Sequence, residues 1–410
     1  MAGTKASERV VIIGAGQAGA QAAASLRQEG FSGAITMIGD EPAPPYQRPP
    51  LSKAYLEGVL AKERLTLKPA ALYEKENINL RLGASAALID RAAKTVALDD
   101  GESVAYDKLL LATGAPPRRL NAPGADLDGV FYLRTMADSD ALRPLLQAGK
   151  RLVVVGAGYI GLEVAAVARK AGLEVTVLEM ADRALQRVTG PEISSFYRDL
   201  HAGAGVDLRL GAQLSSFEGS DAVEAAQLET GEAVGCDLVL VGVGAAPAIG
   251  LAEASGLEVE NGVKVDEYAA TRDPAIWAAG DCTNFPSPLY GRRLRLESVP
   301  NAIEQAKAAA ANMAGRSTVY DAVPWFWSDQ YDVKLQTAGL CESADERVLR
   351  GDPKDRRFAC WYLKEGRVIA VDAVNDPPSF LIGKRLIGAR ARPSVKTLAD
   401  PAQDLKSLLS

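Results

Sequence analysis

Two stretches of the chain repeat one pattern of apolar and polar positions. From Arg9 the sequence reads RVVIIGAGQAGAQAAASLRQEGFSGAITMIGDE, and from Arg151 it reads RLVVVGAGYIGLEVAAVARKAGLEVTVLEMADR. Each predicts an apolar strand, a glycine turn, an alanine-rich helix and a second apolar strand. Between the copies, residues 78–98 alternate as strands in INLRLGASAALI and TVALDDG, with a hairpin turn at DDG. The stretch YDKLLLATG predicts a strand ending at Thr113 and Gly114, where small residues let the chain pass close to a ligand. CDLVLVGVG, ending at Gly242, Val243 and Gly244, and IWAAGDC are two more strand-to-glycine elements. From Val323 the segments PWFWSDQYDVKLQTAG, RRFACWYLK and RVIAVDAVN alternate as antiparallel strands, and one or two helices close the chain.

The glycine spacing points to chemistry. The first copy carries Gly14, Gly16 and Gly19, and the second carries Gly156, Gly158 and Gly161. In such a turn the first glycine makes the bend and the second admits a pyrophosphate against the backbone. The third lets helix pack on strand. The helix N-terminus then offers partial positive charge to the phosphates. Two such sites on one chain suggest a flavin dinucleotide and a nicotinamide dinucleotide meeting each other. Glu179 ends the second strand of the second copy, where a carboxylate bonds a ribose 2′-OH and repels a 2′-phosphate. This favours NAD, with Arg183 four residues on as a weak counter-signal. The first copy has Gly39 at the matching place, so Asp40, next along, is assigned to the ribose.

The stretch PYQRPPLSK, residues 45–53, is stiff with proline and ends in Lys53. Ser52 reads as the N-cap of a helix over AYLEGVLAKERL. APPRR, residues 115–119, reads as a hinge. The domain reading is residues 1–119 and 247–322 for the first nucleotide, 120–246 for the second, and 323–410 as a C-terminal α+β domain.

Composition narrows the chemistry. The chain is mildly acidic, at a formal charge of −6, which argues against bulk nucleic-acid or membrane binding. No apolar run reaches the roughly 20 residues of a membrane helix. MAGTKASERV has no apolar signal core, so a cytoplasmic enzyme is expected. His201 is the only histidine, which excludes a multi-histidine metal site; it reads as a surface or cap residue. Cys236, Cys282, Cys341 and Cys360 form no close pair, so a redox disulfide or cysteine-held cluster has little support. Electrons must then reside on a bound cofactor.

The ordered motifs GAGQAG, RPPLSK, LATG, LRT, GAGYIGLE, GVG, AAGDC, ESVPNA and PWFWSDQ span the chain. Together they resemble the FAD- and NADH-dependent ferredoxin reductases of bacterial oxygenase systems, the putidaredoxin reductase and biphenyl dioxygenase ferredoxin reductase type. The resemblance implies an α/β fold with two Rossmann-like dinucleotide-binding domains, glutathione-reductase-like, plus a C-terminal α+β interface domain. It implies FAD on Gly14, Gly16, Ala18, Gly19, Asp40, Arg48, Lys53, Ala86, Thr113, Gly114, Arg134, Asp281, Val299 and Trp327. It implies NADH on Gly156, Gly158, Tyr159, Ile160, Gly161, Glu163, Glu179, Gly242, Val243 and Gly244.

In this family hydride passes from nicotinamide to flavin with no protein acid or base, which suits a chain with one histidine. The resemblance sets Lys53 near the flavin as a fixed cation, paired with Glu163. Trp325 and Trp327 share one face by strand alternation, and the resemblance implies that Trp327 is the flavin-proximal one. The partner implied is an acidic [2Fe-2S] ferredoxin feeding a P450 or Rieske-type oxygenase, with the reductase a monomer or weak dimer. Lys384, Arg385, Arg390, Arg392 and Lys396, or Arg292, Arg293 and Arg295, are candidate docking cations. The alternatives are a rubredoxin reductase, or an apoptosis-inducing-factor-like flavoprotein with a binding role.

Overall fold

The computed structural model describes residues 8–409. The N-terminal stretch behind the cytoplasmic expectation falls mostly outside them. Of the described residues, one compact unit takes residues 8–47, Lys62–Pro116 and Ala246–Pro324, and a second takes Arg48–Ala61, Pro117–Ala245 and residues 325–409.

The first unit holds a five-stranded parallel sheet in the order Ile276–Ala278, Lys108–Leu111, Arg9–Ile13, Ala34–Gly39, Ile78–Leu82. Val10, Val11, Ile12 and Ile13 are all buried, so both faces of this sheet are covered. The helices Gln17–Gln28 and Val299–Met313 meet through Ala22, Ala23, Ala306, Ala309 and Ala310. Alanine faces let helices approach closely while still excluding water. A three-stranded antiparallel meander, Ala86–Asp90, Thr95–Leu98 and Ser103–Ala105, branches off this unit.

The second unit repeats the plan. Its parallel sheet runs Asp207–Leu210, Glu174–Glu179, Arg151–Val155, Leu238–Val241, Val130–Tyr132. Its own meander is Leu214–Glu218, Ala225–Leu228 and Ala233–Gly235. The two sheets differ in one connection: the strand beyond Lys108–Leu111 comes late in the chain, whereas its counterpart Val130–Tyr132 comes early. The same unit contains an antiparallel sheet ordered Trp325–Gln330, Val333–Gly339, Arg367–Val374, Phe358–Lys364, Glu346–Arg350, with helix Pro377–Gly388 packed on it. None of the described helices is long and apolar enough to cross a membrane.

The helix expected after Lys53 does not form. Residues 53–58 are turns between two short 3-10 helices, Pro49–Ser52 and Lys62–Leu65. Gly58 sits at φ +79°, which ends any helix, and the buried Leu51, Tyr55 and Leu56 tie the segment to its surroundings. The Tyr55 hydroxyl donates to Asp140 at 2.6 Å, and the Ser139 hydroxyl donates to the Leu51 carbonyl at 3.0 Å. Both partners stand on helix Met136–Leu142, whose first turn is fixed by a reciprocal cap between Thr135 and Asp138.

Candidate functional site

The first glycine turn divides its three glycines by task. Gly14 holds φ +115°, and a Cβ there would lie 2.1 Å from the Ala112 carbonyl oxygen. A Cβ on Gly19 would lie 1.9 Å from the Gly14 oxygen. A Cβ on Gly16 would meet nothing within 4 Å. The outer two glycines are required by the protein's own backbone, and the middle one faces open space. The second turn repeats this. Gly156 at φ +102° would meet the Gly242 oxygen at 2.6 Å, and Gly161 the Gly156 oxygen at 2.1 Å. A Cβ on Gly158 would have only the Gly242 oxygen, at 3.9 Å. Helices Gln17–Gln28 and Tyr159–Lys170 both start without a side-chain cap and without an acid in the first turn. Their leading N–H groups suit an anion. On these observations both cradles fit a dinucleotide diphosphate.

Three turns meet at the carboxyl ends of neighbouring strands in the first unit. The LATG turn passes Gly14, and Gly280 of AAGDC would bring a Cβ to 3.1 Å from the Ala18 methyl. Gly114 and Gly280 both have positive φ, and the Thr113 hydroxyl donates to the Ala248 carbonyl at 2.9 Å. Asp281 follows, half-buried. Gly39 also has a steric reason, since a Cβ there would lie 2.5 Å from the Ala15 methyl. That contact leaves no room for an acid at the strand end and shifts the first available carboxylate to Asp40, which is exposed. Ala86 opens the meander, and Val299 opens its helix behind the Ser298 cap.

Glu179 can take the acid's place in the second unit because its loop receives it. Its Oε2 accepts from the Ala157 N–H at 2.7 Å and its Oε1 from the Ala181 N–H at 2.9 Å. Arg183 is committed elsewhere: its guanidinium donates to the Ser194 hydroxyl at 2.6 Å and to the Thr189 carbonyl at 3.4 Å. Tyr159 packs on Phe326 at 4.5 Å between ring centroids, while the Ile160 side chain is exposed. Gly244, at φ +100°, ends the GVG turn with Val243 half-buried before it.

The second unit brings Lys53 and Glu163 together. The Lys53 Nζ donates to Glu163 Oε2 at 2.7 Å; Lys53 is 17% exposed and Glu163 3%. Ser52 is no helix cap. Its hydroxyl donates to the same Glu163 oxygen, and the Ser328 hydroxyl donates to Oε1 at 2.7 Å. A buried carboxylate needs such donors on both oxygens. Prolines 49 and 50 occupy the first turn of their 3-10 helix, where the missing N–H groups go unneeded. Arg48 donates to the Arg134 carbonyl at 2.8 Å, which anchors the segment from its other end.

Strand alternation in Trp325–Gln330 sorts the PWFWSDQ residues. Phe326, Ser328 and Gln330 face the second glycine helix and helix Pro191–Gly203, while Trp325 and Trp327 pair on the other face at 5.7 Å. Trp325 also meets Phe380 at 5.5 Å and lies 5.3 Å from the Lys384 ammonium. His201 departs from the surface reading: it is fully buried in the last turn of its helix, with Nε2 2.8 Å from Gln330 Oε1. Burial pulls its imidazole below the ordinary value, against the opposing effect of the Gln330 bond.

The cysteines are all free thiols. Burial pushes Cys236 up to about 11 and Cys341 up to about 12, which disfavours the reactive thiolate. Of the basic clusters, Arg293 is bonded to Asn284 and to the Val265 carbonyl, and Arg295 pairs with Glu297. Arg385, Arg390, Arg392 and Lys396 are exposed.

Several residues of this site carry no strong sequence signal. Ser52, Ser328 and Gln330 are ordinary residues in ordinary strings; only the period of two in PWFWSDQ hints that 326, 328 and 330 share a face.

The model of the pyridine nucleotide-disulphide oxidoreductase family matches residues 8–306, and a reductase C-terminal model matches residues 325–409. The chain is similar to the probable ferredoxin reductase CtmF of Castellaniella defragrans, 46% identical over 98% of this chain and 99% of that protein. It is also similar to putidaredoxin reductase CamA of Pseudomonas putida, 44% identical over 99% of this chain and 97% of that protein. Among solved structures, the reductase in a covalent putidaredoxin reductase–putidaredoxin complex superposes with a TM-score of 0.96 at 44% identity, covering 99% of each chain.

Proposed function

The chain belongs to the pyridine nucleotide-disulphide oxidoreductase family, and from that premise we propose that it is an FAD-dependent NADH:ferredoxin oxidoreductase. Its acceptor is a [2Fe-2S] ferredoxin that feeds a P450 or Rieske-type oxygenase. The observation that carries this is the pair of glycine cradles, each open at its middle glycine, in two sheets of matching order. Two dinucleotides on a chain whose thiols are unpaired suit flavin-to-ferredoxin transfer better than disulfide chemistry. Free thiols also suit the cytoplasm. The likeness to reductases named for ferredoxin and putidaredoxin supports the choice of acceptor.

Bound FAD supplies the exchange between a two-electron hydride and single electrons. Gly14, Gly16, Ala18 and Gly19 would hold its diphosphate, and Asp40 its ribose. Thr113, Gly114, Arg48, Arg134, Ala86, Asp281, Val299 and Trp327 would complete its site. Gly156, Gly158, Tyr159, Ile160 and Gly161 would hold NADH, with Gly242, Val243 and Gly244 beside them. Glu179 would accept from the ribose 2′-OH and repel a 2′-phosphate, with Arg183 already engaged. Lys53 supplies a fixed positive charge that favours electron-rich flavin. Glu163 keeps that ammonium in one place, and its serine donors satisfy the carboxylate oxygens in a site closed to water. The ferredoxin would dock on a locally basic face, for which Arg385, Arg390, Arg392 and Lys396 are exposed, whereas Arg293 and Arg295 are engaged in bonds of their own.

The test is steady-state NADH oxidation with ferricyanide, with oxygen, and with a [2Fe-2S] ferredoxin coupled to cytochrome c. The reading expects a large gain from ferredoxin and slow turnover with oxygen alone. Fast oxygen turnover, or no gain from ferredoxin, sinks it.

A further inference from the structure

The chain's one histidine is wired to Glu163. His201 lies on the buried stripe Ile193, Ser194, Tyr197 and His201 of helix Pro191–Gly203. From Glu163 the direction of every bond can be assigned by elimination. An ionised carboxylate only accepts, so the Ser328 proton points at Glu163 Oε1, 2.7 Å away. The Ser328 oxygen is then left to accept from Gln330 Nε2 at 3.2 Å. That orients the Gln330 amide with its carbonyl oxygen toward His201 Nε2 at 2.8 Å. A carbonyl oxygen cannot donate, so Nε2 carries the proton. The other ring nitrogen, Nδ1, is left facing the Tyr331 hydroxyl at 3.4 Å as an acceptor. Ser328 and Gln330 are 0% and 1% exposed, so neither has water as an alternative partner. Turning any member over would set donor against donor or acceptor against acceptor.

We propose that His201, Gln330 and Ser328 are positioning residues of the redox centre, forming a one-directional hydrogen-bond chain that holds the Glu163 carboxylate aimed at Lys53. The proposal rests on the reading of Lys53 and Glu163 as redox-centre residues. A buried polar chain with every member satisfied fixes one geometry, and a broken one leaves buried groups unpaired. His201 would therefore act through orientation, with no proton transfer of its own.

The test has two arms. Nitrogen-15 labelling of histidine reports one ring in the whole chain, so NMR of the oxidised holoenzyme at pH 7 reads His201 alone. The expected signature is the neutral Nε2–H tautomer, with the ring signal displaced in Ser328→Ala. A charged ring, an Nδ1–H tautomer, or no response to Ser328→Ala overturns the proposal. The second arm is flavin reduction by NADH under stopped flow. His201→Leu is expected to slow it about fivefold, the factor one ordinary hydrogen bond represents. His201→Gln, which keeps a donor N–H for Gln330, is expected to restore it to within about twofold. Normal reduction in His201→Leu beside slow reduction in Lys53→Met overturns the chain and leaves the functional reading intact. Normal reduction in both overturns the role of Lys53 as well. If His201→Leu fails to fold, the NMR arm on the unaltered chain still decides.

Discussion

Lys53 and Glu163 are 110 positions apart in sequence, and their charged atoms are 2.7 Å apart in a site that leaves Glu163 3% exposed. Attraction in a low dielectric is strong, but both charges lose hydration, so the net contribution of such a pair depends on its remaining hydrogen bonds. Here Ser52 and Ser328 supply them. The pair is therefore better understood as a means of placing an ammonium than as a source of stability.

Removing one partner should show this. Lys53→Met leaves a buried carboxylate with only hydroxyl donors, and is expected to destabilise the protein by about 3 kcal/mol. Lys53→Met with Glu163→Gln should be less destabilising than the sum of the two single changes in a denaturant-melt cycle. The reduction rate of flavin by NADH should fall about tenfold or more in Lys53→Met while FAD content holds. Unchanged FAD content with an unchanged rate refutes the role given to Lys53.

The glycine turns predict a clean division between folding and cofactor binding. Gly19→Ala sets a methyl 1.9 Å from a backbone oxygen, so it should lower soluble yield and melting temperature sharply. Gly16→Val enters open space, so the chain should fold and carry little FAD. Flavin absorbance against circular dichroism on the same samples separates the two outcomes. Gly16→Val with full flavin overturns the cradle.

These turns were readable in the sequence because their demand is local and steric. The repeat needs only a backbone that bends and a helix that starts, and glycine at fixed offsets announces both. The same locality misled the reading after Lys53. AYLEGVLAKERL has helical composition, and Ser52 stands where a cap would. Yet Tyr55 and Leu56 are buried and Gly58 turns at φ +79°, so tertiary contacts override propensity. Ser52 then serves a carboxylate 111 positions away, a partner no local pattern could reveal. His201 was misplaced for a similar reason. Its helix shows a buried stripe, but only the strand carrying Gln330 gives the imidazole a partner inside it.

Coenzyme choice should follow Glu179. Its carboxylate bonds two loop N–H groups and would oppose a 2′-phosphate, and Arg183 is held by Ser194 and cannot offset it in this geometry. Glu179→Ser is expected to shift the NADPH to NADH ratio of kcat/KM by about tenfold or more toward NADPH. Steady-state kinetics with a ferricyanide acceptor measures it. A ratio that does not move assigns the specificity to other residues.

Asp372 gives the chain a stability term that varies near neutral pH. It is 3% exposed in strand Arg367–Val374, and its carboxyl accepts from the Tyr362 hydroxyl at 2.6 Å. That hydroxyl in turn accepts from the Gly190 N–H at 2.8 Å. Burial pushes the acid up to about 7, with the Tyr362 bond pulling back and Glu192 adding to the rise. In the unfolded chain the same acid would titrate near its ordinary value, about 3.9. The folded pKa is the higher one, so the folded state holds the proton more tightly. The contribution is full below the unfolded value and is lost as pH rises through about 7. Asp372→Asn keeps the shape and removes the charge. Its melting temperature relative to the unaltered chain should therefore rise steadily between about pH 4 and pH 7. A difference that stays flat over that range would show that Asp372 titrates normally despite its burial.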